Sequence, residues 1–273
     1  VQIGDKLIEL GWKPKVFTPT ANKPIVDESS LKDCKLPEAR LIEEYLMLQK
    51  RIAQIESWLE AVADGGRVHG RVTTNGAVTG RMTHSSPNMA QIPNSGSIFG
   101  PECRECWSVE EGNVLVGADA SGLELRMLAH YMKDQEYVRT VVEGNSKEGT
   151  DVHSVNQRAA GLATRDAAKT FIYAYLYGAG DAKIGSIVGG SAKVGRALKE
   201  SFLAKTPALR VLIDTVADIA TSGSVPGLDG RRIWVRSSHA ALNSLLQSAG
   251  AIIMKKALVL FDAKIRHNKW PVK

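Results

Sequence analysis

Leu41, Tyr45, Leu48, Ile52, Ile55, Leu59 and Val62 alternate spacings of four and three residues, with polar and charged residues between them. No other feature limits the fold as much. The spacing predicts one long helix over 38–63 with a narrow heptad seam, and such a seam is buried by a partner helix. The residues before it offer no amphipathic partner of that length: 1–37 read as loop-rich, punctuated by Pro14, Pro19, Pro24 and Pro37. Two readings stay open. The seam packs on the rest of its own domain, or its coiled-coil partner lies upstream of Val1. The absence of an initiator Met at Val1 agrees with an excerpt of a longer protein.

Asp64-Gly65-Gly66 ends the helix, as glycine does past a helix C-terminus. Extended residues 67–72 then lead to a Thr73-Thr74-Asn75-Gly76 turn. Gly80, Pro87, Pro93, Gly96 and Gly100 make 78–101 irregular. The apolar run Val114–Gly117 ending in Ala118-Asp119 predicts a buried strand over 114–119. Leu123–Met132 should be helical, as should most of 152–222, with breaks near Gly178, Gly189 and Pro207. A turn over 226–230 precedes a short strand at Arg232–Arg236 and a long helix over 238–266.

Composition narrows the function classes only modestly. The net charge of +6 suits a polyanionic partner without singling one out. Cys103 and Cys106 form a lone CxxC, short of the four ligands of a structural zinc site; three cysteines at this density fit a reducing, cytoplasmic setting. No apolar run approaches the length of a membrane span, so no membrane partner is expected. Gly185–Gly190 lacks the Lys-Ser/Thr continuation of a phosphate loop.

Two constellations carry chemistry. Arg165, Lys169, Tyr173 and Tyr177 recur every fourth residue, which stacks them along one helical stripe. Two cations followed by two rings suit a nucleotide: phosphates at one end, sugar or base at the other. A solvated basic turn leading into core aromatics gives the same spacing. The second is Asp119-Ala-Ser-Gly-Leu-Glu124-Leu-Arg126. An acid at the end of a buried strand can hold a divalent cation, although Asp119 alone reads equally as a helix N-cap. Two-metal phosphoryl transfer needs a further carboxylate.

Taken together, these segments resemble family A DNA polymerases. Asp119–Arg126 (DASGLELR) resembles motif A, and Arg165–Gly178 (RDAAKTFIYAYLYG) resembles motif B. Thr79-Gly80-Arg81 with Pro87-Asn88 and Gln91-Ile92-Pro93 is similar to the upstream TGR…PN…QNIP-like element. Asp151-Val-His153 is similar to a DIH-like element, and Asn243…Gln247 to the NxxxQ of the helix returning to the palm. All five occur in family order. Their details are closer to the short-tailed-phage branch than to bacterial polymerase I.

The resemblance implies an α+β fold: a right-hand polymerase palm with a partial antiparallel sheet, a helical fingers subdomain and a terminal thumb helix. Residues 1–63 would be a thumb remnant and thumb-to-palm helix. Residues 64–132 would form the palm with motif A, its sheet built partly from 66–120 and carrying Asp119. Residues 133–236 would form the fingers with motif B, and 237–273 the helix back to the palm. By the resemblance, Asp119 is catalytic and binds metal with the Ala120 carbonyl, and the cofactor is Mg2+. Lys169 is catalytic and binds the triphosphate with Arg165 and His153. Tyr173 packs on the sugar, and Glu124 walls the sugar pocket against a 2′-hydroxyl. Arg81, Tyr177, His239, Asn243 and Gln247 contact DNA. The implied partners are primer–template DNA and dNTPs. The family's motif C, a His-Asp-Glu-like hairpin, has no counterpart in these 273 residues, so its carboxylate is expected from a downstream segment or a second chain. A single-subunit RNA polymerase and a non-catalytic DNA-binding relative are the alternatives.

Overall fold

A computed structural model describes residues 2–32 and 34–271. The chain divides into two compact units. One runs through Val72 and resumes over His84–Val116; the other takes Thr73–Thr83 and the chain from Gly117 onward.

The first unit begins with α1 (Gln2–Glu9) and the single turn α2 (Glu28–Leu31), followed by α3 (Pro37–Glu60). The expectation of a loop-rich 1–37 overlooked α1. Its Leu7 is buried with Trp12, Leu31 and Ala39, and Gly4 lets Pro24 and Val26 approach closely. Asp27 caps α2 by accepting from the Ser30 amide, and Pro37 opens α3 where its missing N–H costs nothing. The helix uses a face beside the seam for its own core: Ala39, Ile42 and Leu46 pack on Leu7 and its neighbours. The seam residues Leu41, Tyr45, Ile52, Leu59 and Val62 stay exposed. Leu48 and Ile55, the other two seam residues, are half-buried, so most of the seam is uncovered among the described residues.

Trp58, buried near the end of α3, meets Trp107 edge-on at 5.2 Å. Gln54 donates to the Gln91 carbonyl at 2.8 Å. Strands β1 (Val62–Ala63) and β2 (Arg67–Val68) pair antiparallel around the Gly65-Gly66 turn, whose positive φ values of 80° and 75° favour glycine. β3 (Arg71–Thr73) and β4 (Thr83–Ser85) form a second pair, and α4 spans Gly100–Glu105.

The predicted strand at 114–119 is not formed. Those residues carry no regular structure, and Val114, Leu115 and Val116 are 82%, 78% and 80% exposed. Among the described residues no strand runs beside them, so the sheet expected to carry Asp119 is absent. An apolar run signals burial, but a strand forms only where a neighbour takes its N–H and C=O groups.

The second unit is helical: α5 (Leu123–Met132), α6 (Gln135–Val142), α7 (Val152–Ala160), α8 (Arg165–Leu176), α9 (Asp181–Ile187), α10 (Ala192–Lys205) and α11 (Pro207–Ile219). Strands β5 (Ser224–Pro226) and β6 (Arg232–Trp234) pair antiparallel, with Ser224 opposite Trp234, and α12 (Ser238–Asn268) closes the chain. The breaks fall where the sequence placed them. Gly178 takes φ 76° after α8, Gly189 takes φ 68° after α9, and Pro207 opens α11. Leu125, Leu128, Phe171, Ile172, Phe202 and Leu246 are among the residues that form the core. Phe202 meets Phe171 edge-on at 5.1 Å, a favoured aromatic geometry. The α+β class holds, with helices dominant and three two-stranded pairs among the described residues, of which β1–β2 and β5–β6 are antiparallel.

α12 corrects the expectation about apolar runs. It has 31 residues, with an 18-residue window of mean hydropathy 1.4, enough by length and composition to cross a membrane. The sequence reading missed it because Asn243, Gln247 and Lys255 interrupt the run. Its first half instead supplies core, with Ala241, Leu242, Leu245, Leu246 and Ala249 buried.

Candidate nucleotide and nucleic-acid site

The site lies in the second unit, where α8 begins beside α7. Asp151 is the N-cap of α7 and accepts from the His153 amide at 3.2 Å; the Ser154 hydroxyl also donates to it. That cap turns the carboxylate toward α8. Thr164 caps α8 by accepting from the Ala167 amide, which fixes the start of the stripe at Arg165. Arg165 then donates through Nη2 to Asp151 Oδ2 at 2.7 Å and through Nε to both carboxylate oxygens at 3.2 and 3.3 Å.

Burial pushes the Asp151 carboxyl up, but hydrogen bonds from Arg165, Ser154 and the His153 amide outweigh it. The group ends far below the usual carboxylate range. His153 moves down, first by burial and then by the Arg165 charge; Asp151 opposes this and Lys169 adds to it. The imidazole is therefore neutral at pH 7. Its Nδ1 is buried with no partner among the described residues.

The stripe continues as the spacing demands. The His153 and Tyr173 ring centroids lie 6.1 Å apart, and Tyr173 and Tyr177 lie 6.5 Å apart and nearly parallel. Lys169 is exposed and makes no hydrogen bond or ion pair among the described residues. Burial raises both phenols, and the Glu124 carboxylate raises them further; Arg81 acts in the opposite sense on Tyr177. Glu124, in the first turn of α5, thus faces the two rings, with Arg81 beside Tyr177.

Arg81, Glu124 and Gln247 also line one pocket of about 370 Å³ with Gly250, Met254 and Lys255. Gly250 lets α12 approach α5, since a Cβ there would sit 3.2 Å from Leu123 Cδ2. Asn243 accepts from Gln247 Nε2 at 3.1 Å along one face of α12. His239 is exposed at the start of α12, and its carbonyl borders Gly178. Lys255 donates to the Thr74 carbonyl at 2.6 Å and to Asn75 Oδ1 at 2.7 Å, tethering the hairpin tip that presents Arg81.

Asp119 and Ala120 share no hydrogen bond or ion pair with this group among the described residues and do not line its pocket. Asp119 is exposed on the irregular segment before Gly122, whose φ of 60° starts α5. Among the described residues no three His, Cys, Asp or Glu side chains gather to hold a metal. One carboxylate and a backbone carbonyl do not make a two-ion site, so these residues alone do not fit a Mg2+ pair.

Sequence reasoning missed two supporting residues. Asp151 was read only as part of a DIH-like element, although its position just before a helix, with Ser154 three residues on, is a capping signal. Lys255 gave no local signal, because its partners lie 180 residues away.

The profile described as DNA polymerase family A matches residues 1–273. The chain is 46% identical to a DNA-directed DNA polymerase of Enterobacteria phage T3 and 45% identical to that of Escherichia phage T7. Each match covers 93% of this chain and 40% of the relative. The chain thus spans about two fifths of those relatives' length. Among solved structures, the POL domain of Pol1 from M. smegmatis in complex with DNA primer-template and dNTP superposes with a TM-score of 0.79 at 24% identity. It covers 96% of this chain and 49% of that one, and the likeness is one of fold.

Proposed function

The chain belongs to DNA polymerase family A, and from that premise we propose that it is the nucleotide- and template-handling part of an enzyme that adds dNTPs to a primer 3′ end. One observation carries the reading: His153, Arg165, Lys169, Tyr173, Tyr177 and Glu124 converge on one side of α8. Phosphoryl transfer needs positioning and charge stabilisation more than covalent chemistry, and this grouping offers both. Lys169 has no competing partner among the described residues and meets the triphosphate, with Arg165 beside it and its guanidinium oriented by Asp151. Neutral His153 donates a hydrogen bond to a phosphate oxygen. Tyr173 packs on the sugar, with Glu124 behind it crowding a 2′-hydroxyl.

Tyr177 places the template base. Arg81, His239, Asn243 and Gln247 track primer–template, where minor-groove acceptors are nearly alike for every pair and polar side chains can test pair shape without reading sequence. The subdomain reading follows: residues 1–63 as thumb remnant, 64–132 as palm, 133–236 as fingers and 237–273 as the return helix. Asp119 and the Ala120 carbonyl are this chain's share of a Mg2+ donor set. The second carboxylate comes from another segment or a second chain, because no His-Asp-Glu-like motif occurs in these 273 residues. The setting is the cytoplasm, the host's for a phage-encoded enzyme, where dNTPs and template meet.

Two measurements test this. Binding of a dNTP to the chain on a primer–template should weaken at least tenfold in Arg165→Ala; an unchanged affinity would sink the assignment of α8. In primer extension with Mg2+ and four dNTPs the chain alone should be inactive. Robust template-dependent extension would show that it needs no second carboxylate.

A further inference from the structure

We propose that Asn75 is a site of self-modification: its side-chain amide is lost through attack by the Gly76 backbone nitrogen, and Lys255 sets the rate by holding the hairpin tip. Asn75-Gly76 is the only Asn-Gly pair in these 273 residues. Glycine carries no Cβ to keep its nitrogen away from the preceding side chain, so Asn before Gly closes to a cyclic imide more readily than Asn before a bulkier residue. The pair is exposed between β3 and β4, where water reaches it. Packing imposes the glycine. A Cβ at position 76 would overlap the Thr83 side chain, at 2.7 Å from Cγ2 and 2.8 Å from Cβ.

Both reacting nitrogens are uncommitted. The Gly76 amide and Asn75 Nδ2 make no hydrogen bond among the described residues. In the reaction a bond forms from the Gly76 nitrogen to Asn75 Cγ, and the Cγ–Nδ2 bond breaks. The Gly76 nitrogen gives its proton to solvent, and Nδ2 takes one up and leaves as ammonia. Water then opens the imide on either side, giving aspartate or isoaspartate. No oxidant or reductant takes part. The fold holds the remaining atom, the side-chain oxygen: Lys255 donates to Asn75 Oδ1 at 2.7 Å and to the Thr74 carbonyl at 2.6 Å. Ring closure needs Cγ and the Gly76 nitrogen in a near-attack arrangement, reached by turning the side chain and the backbone at Asn75 together. The Oδ1 bond resists the first movement and the carbonyl bond resists the second. The same ammonium stabilises negative charge on Oδ1 as the ring closes, but only after that turn, which its two bonds oppose.

The modification reaches Arg81. The Ala77 amide donates to the Arg81 carbonyl at 3.3 Å, and the Gly80 amide to the Ala77 carbonyl at 2.8 Å, so residues 77–81 close a small loop directly after the pair. Isoaspartate adds a methylene to the backbone before Gly76 and displaces that loop. Aspartate keeps the backbone and offers Lys255 a charged acceptor. The site stands on the geometry of the tip; its consequence for DNA rests on the polymerase reading of Arg81.

The test is peptide mapping by mass spectrometry on the full chain held at mildly alkaline pH. It reads the replacement of NH2 by OH at Asn75, with Asn145, which precedes a serine, as internal reference. Lys255→Met should convert Asn75 about fivefold faster than wild type, equivalent to about 1 kcal/mol in the barrier, and Lys255→Arg should stay near wild type. Wild-type chain in urea gives the unrestrained rate without any substitution, and that rate should also exceed the folded one. The site is overturned if Asn75 converts no faster than Asn145 in folded Lys255→Met. The role of Lys255 is overturned if that variant converts Asn75 at the wild-type rate or more slowly, or if folded and urea-unfolded wild type convert alike. Aged wild-type chain enriched in isoaspartate separates this inference from the polymerase reading. It should bind a primer–template duplex more weakly than fresh chain; unchanged affinity counts against the proposed DNA contact of Arg81, while the peptide map still decides the site.

Discussion

Replacing Asp151 by Asn separates two jobs that one carboxylate performs. The Asn side chain can still cap α7, because Asn and Asp are near-equal N-caps, but it cannot pair ionically with Arg165. The Arg165 side chain is 40% exposed and that of Asp151 only 12%, so the pair lies between a surface and a buried one. A hydrogen bond to a charged group contributes about 1.5–3 kcal/mol, and the water around Arg165 reduces that. Asp151→Asn should therefore cost about 1–2 kcal/mol, and Asp151→Ala about 1 kcal/mol more for the lost cap.

The assay is urea unfolding followed by a probe in the second unit, with Asp151→Asn, Arg165→Gln and the double variant forming a cycle. The pH dependence has a fixed sign. The folded carboxyl titrates below its unfolded value of about 3.9, so its stabilisation is complete above that value and is lost as pH falls toward the folded pKa. Loss accrues at up to about 1.4 kcal/mol per pH unit between the two pKa values, so the gap between wild type and Asp151→Asn should narrow steadily as pH falls below about 4 and be smaller at pH 3 than at pH 7. Zero coupling in the cycle, or a gap unchanged at pH 3, would refute the account.

Other outcomes follow from the same structure. The midpoint of His153 by NMR titration should lie below the ordinary histidine value and move up in Arg165→Gln, because the variant removes a neighbouring positive charge; a downward move would contradict the cause given. Tyr137, pushed up to about 12 by burial and bonded to fully buried Asn156, should stay un-ionised at pH 11 in an ultraviolet titration. Tyr137→Phe should cost about 1–3 kcal/mol by leaving Asn156 unpaired. Lys255→Met should speed amide exchange at Thr74–Gly76, since both of its bonds hold that tip; unchanged exchange would show that the tip is held otherwise. Gly178→Ala should destabilise by about 1–2 kcal/mol, the cost of left-handed φ for an L-residue.

Most of α8 was legible from sequence because its chemistry is local. Four residues at four-residue spacing share a face wherever a helix forms, and Thr164 and Gly178 mark the ends of the segment. The long helices α3 and α12 were legible for the same reason. The strand at 114–119 was not, because an apolar run records a need for burial and leaves the pairing partner unspecified; Val114–Val116 stay exposed without one. The heptad seam gave the helix correctly but not its packed face. Ala39, Ile42 and Leu46 win because Leu7, Trp12 and Leu31 happen to lie opposite them.

The sequence by itself determined the family, through five motifs in order, and the residue types that a nucleotide site needs. Tertiary structure decided which of them meet. It set Asp151 on Arg165 across 14 residues and brought Glu124 toward Tyr177 across 53. It also left Asp119 outside any group of three or more His, Cys, Asp or Glu side chains among the described residues. Side-chain identity and short-range spacing are written in the chain, whereas the meeting of distant groups depends on how the helices pack.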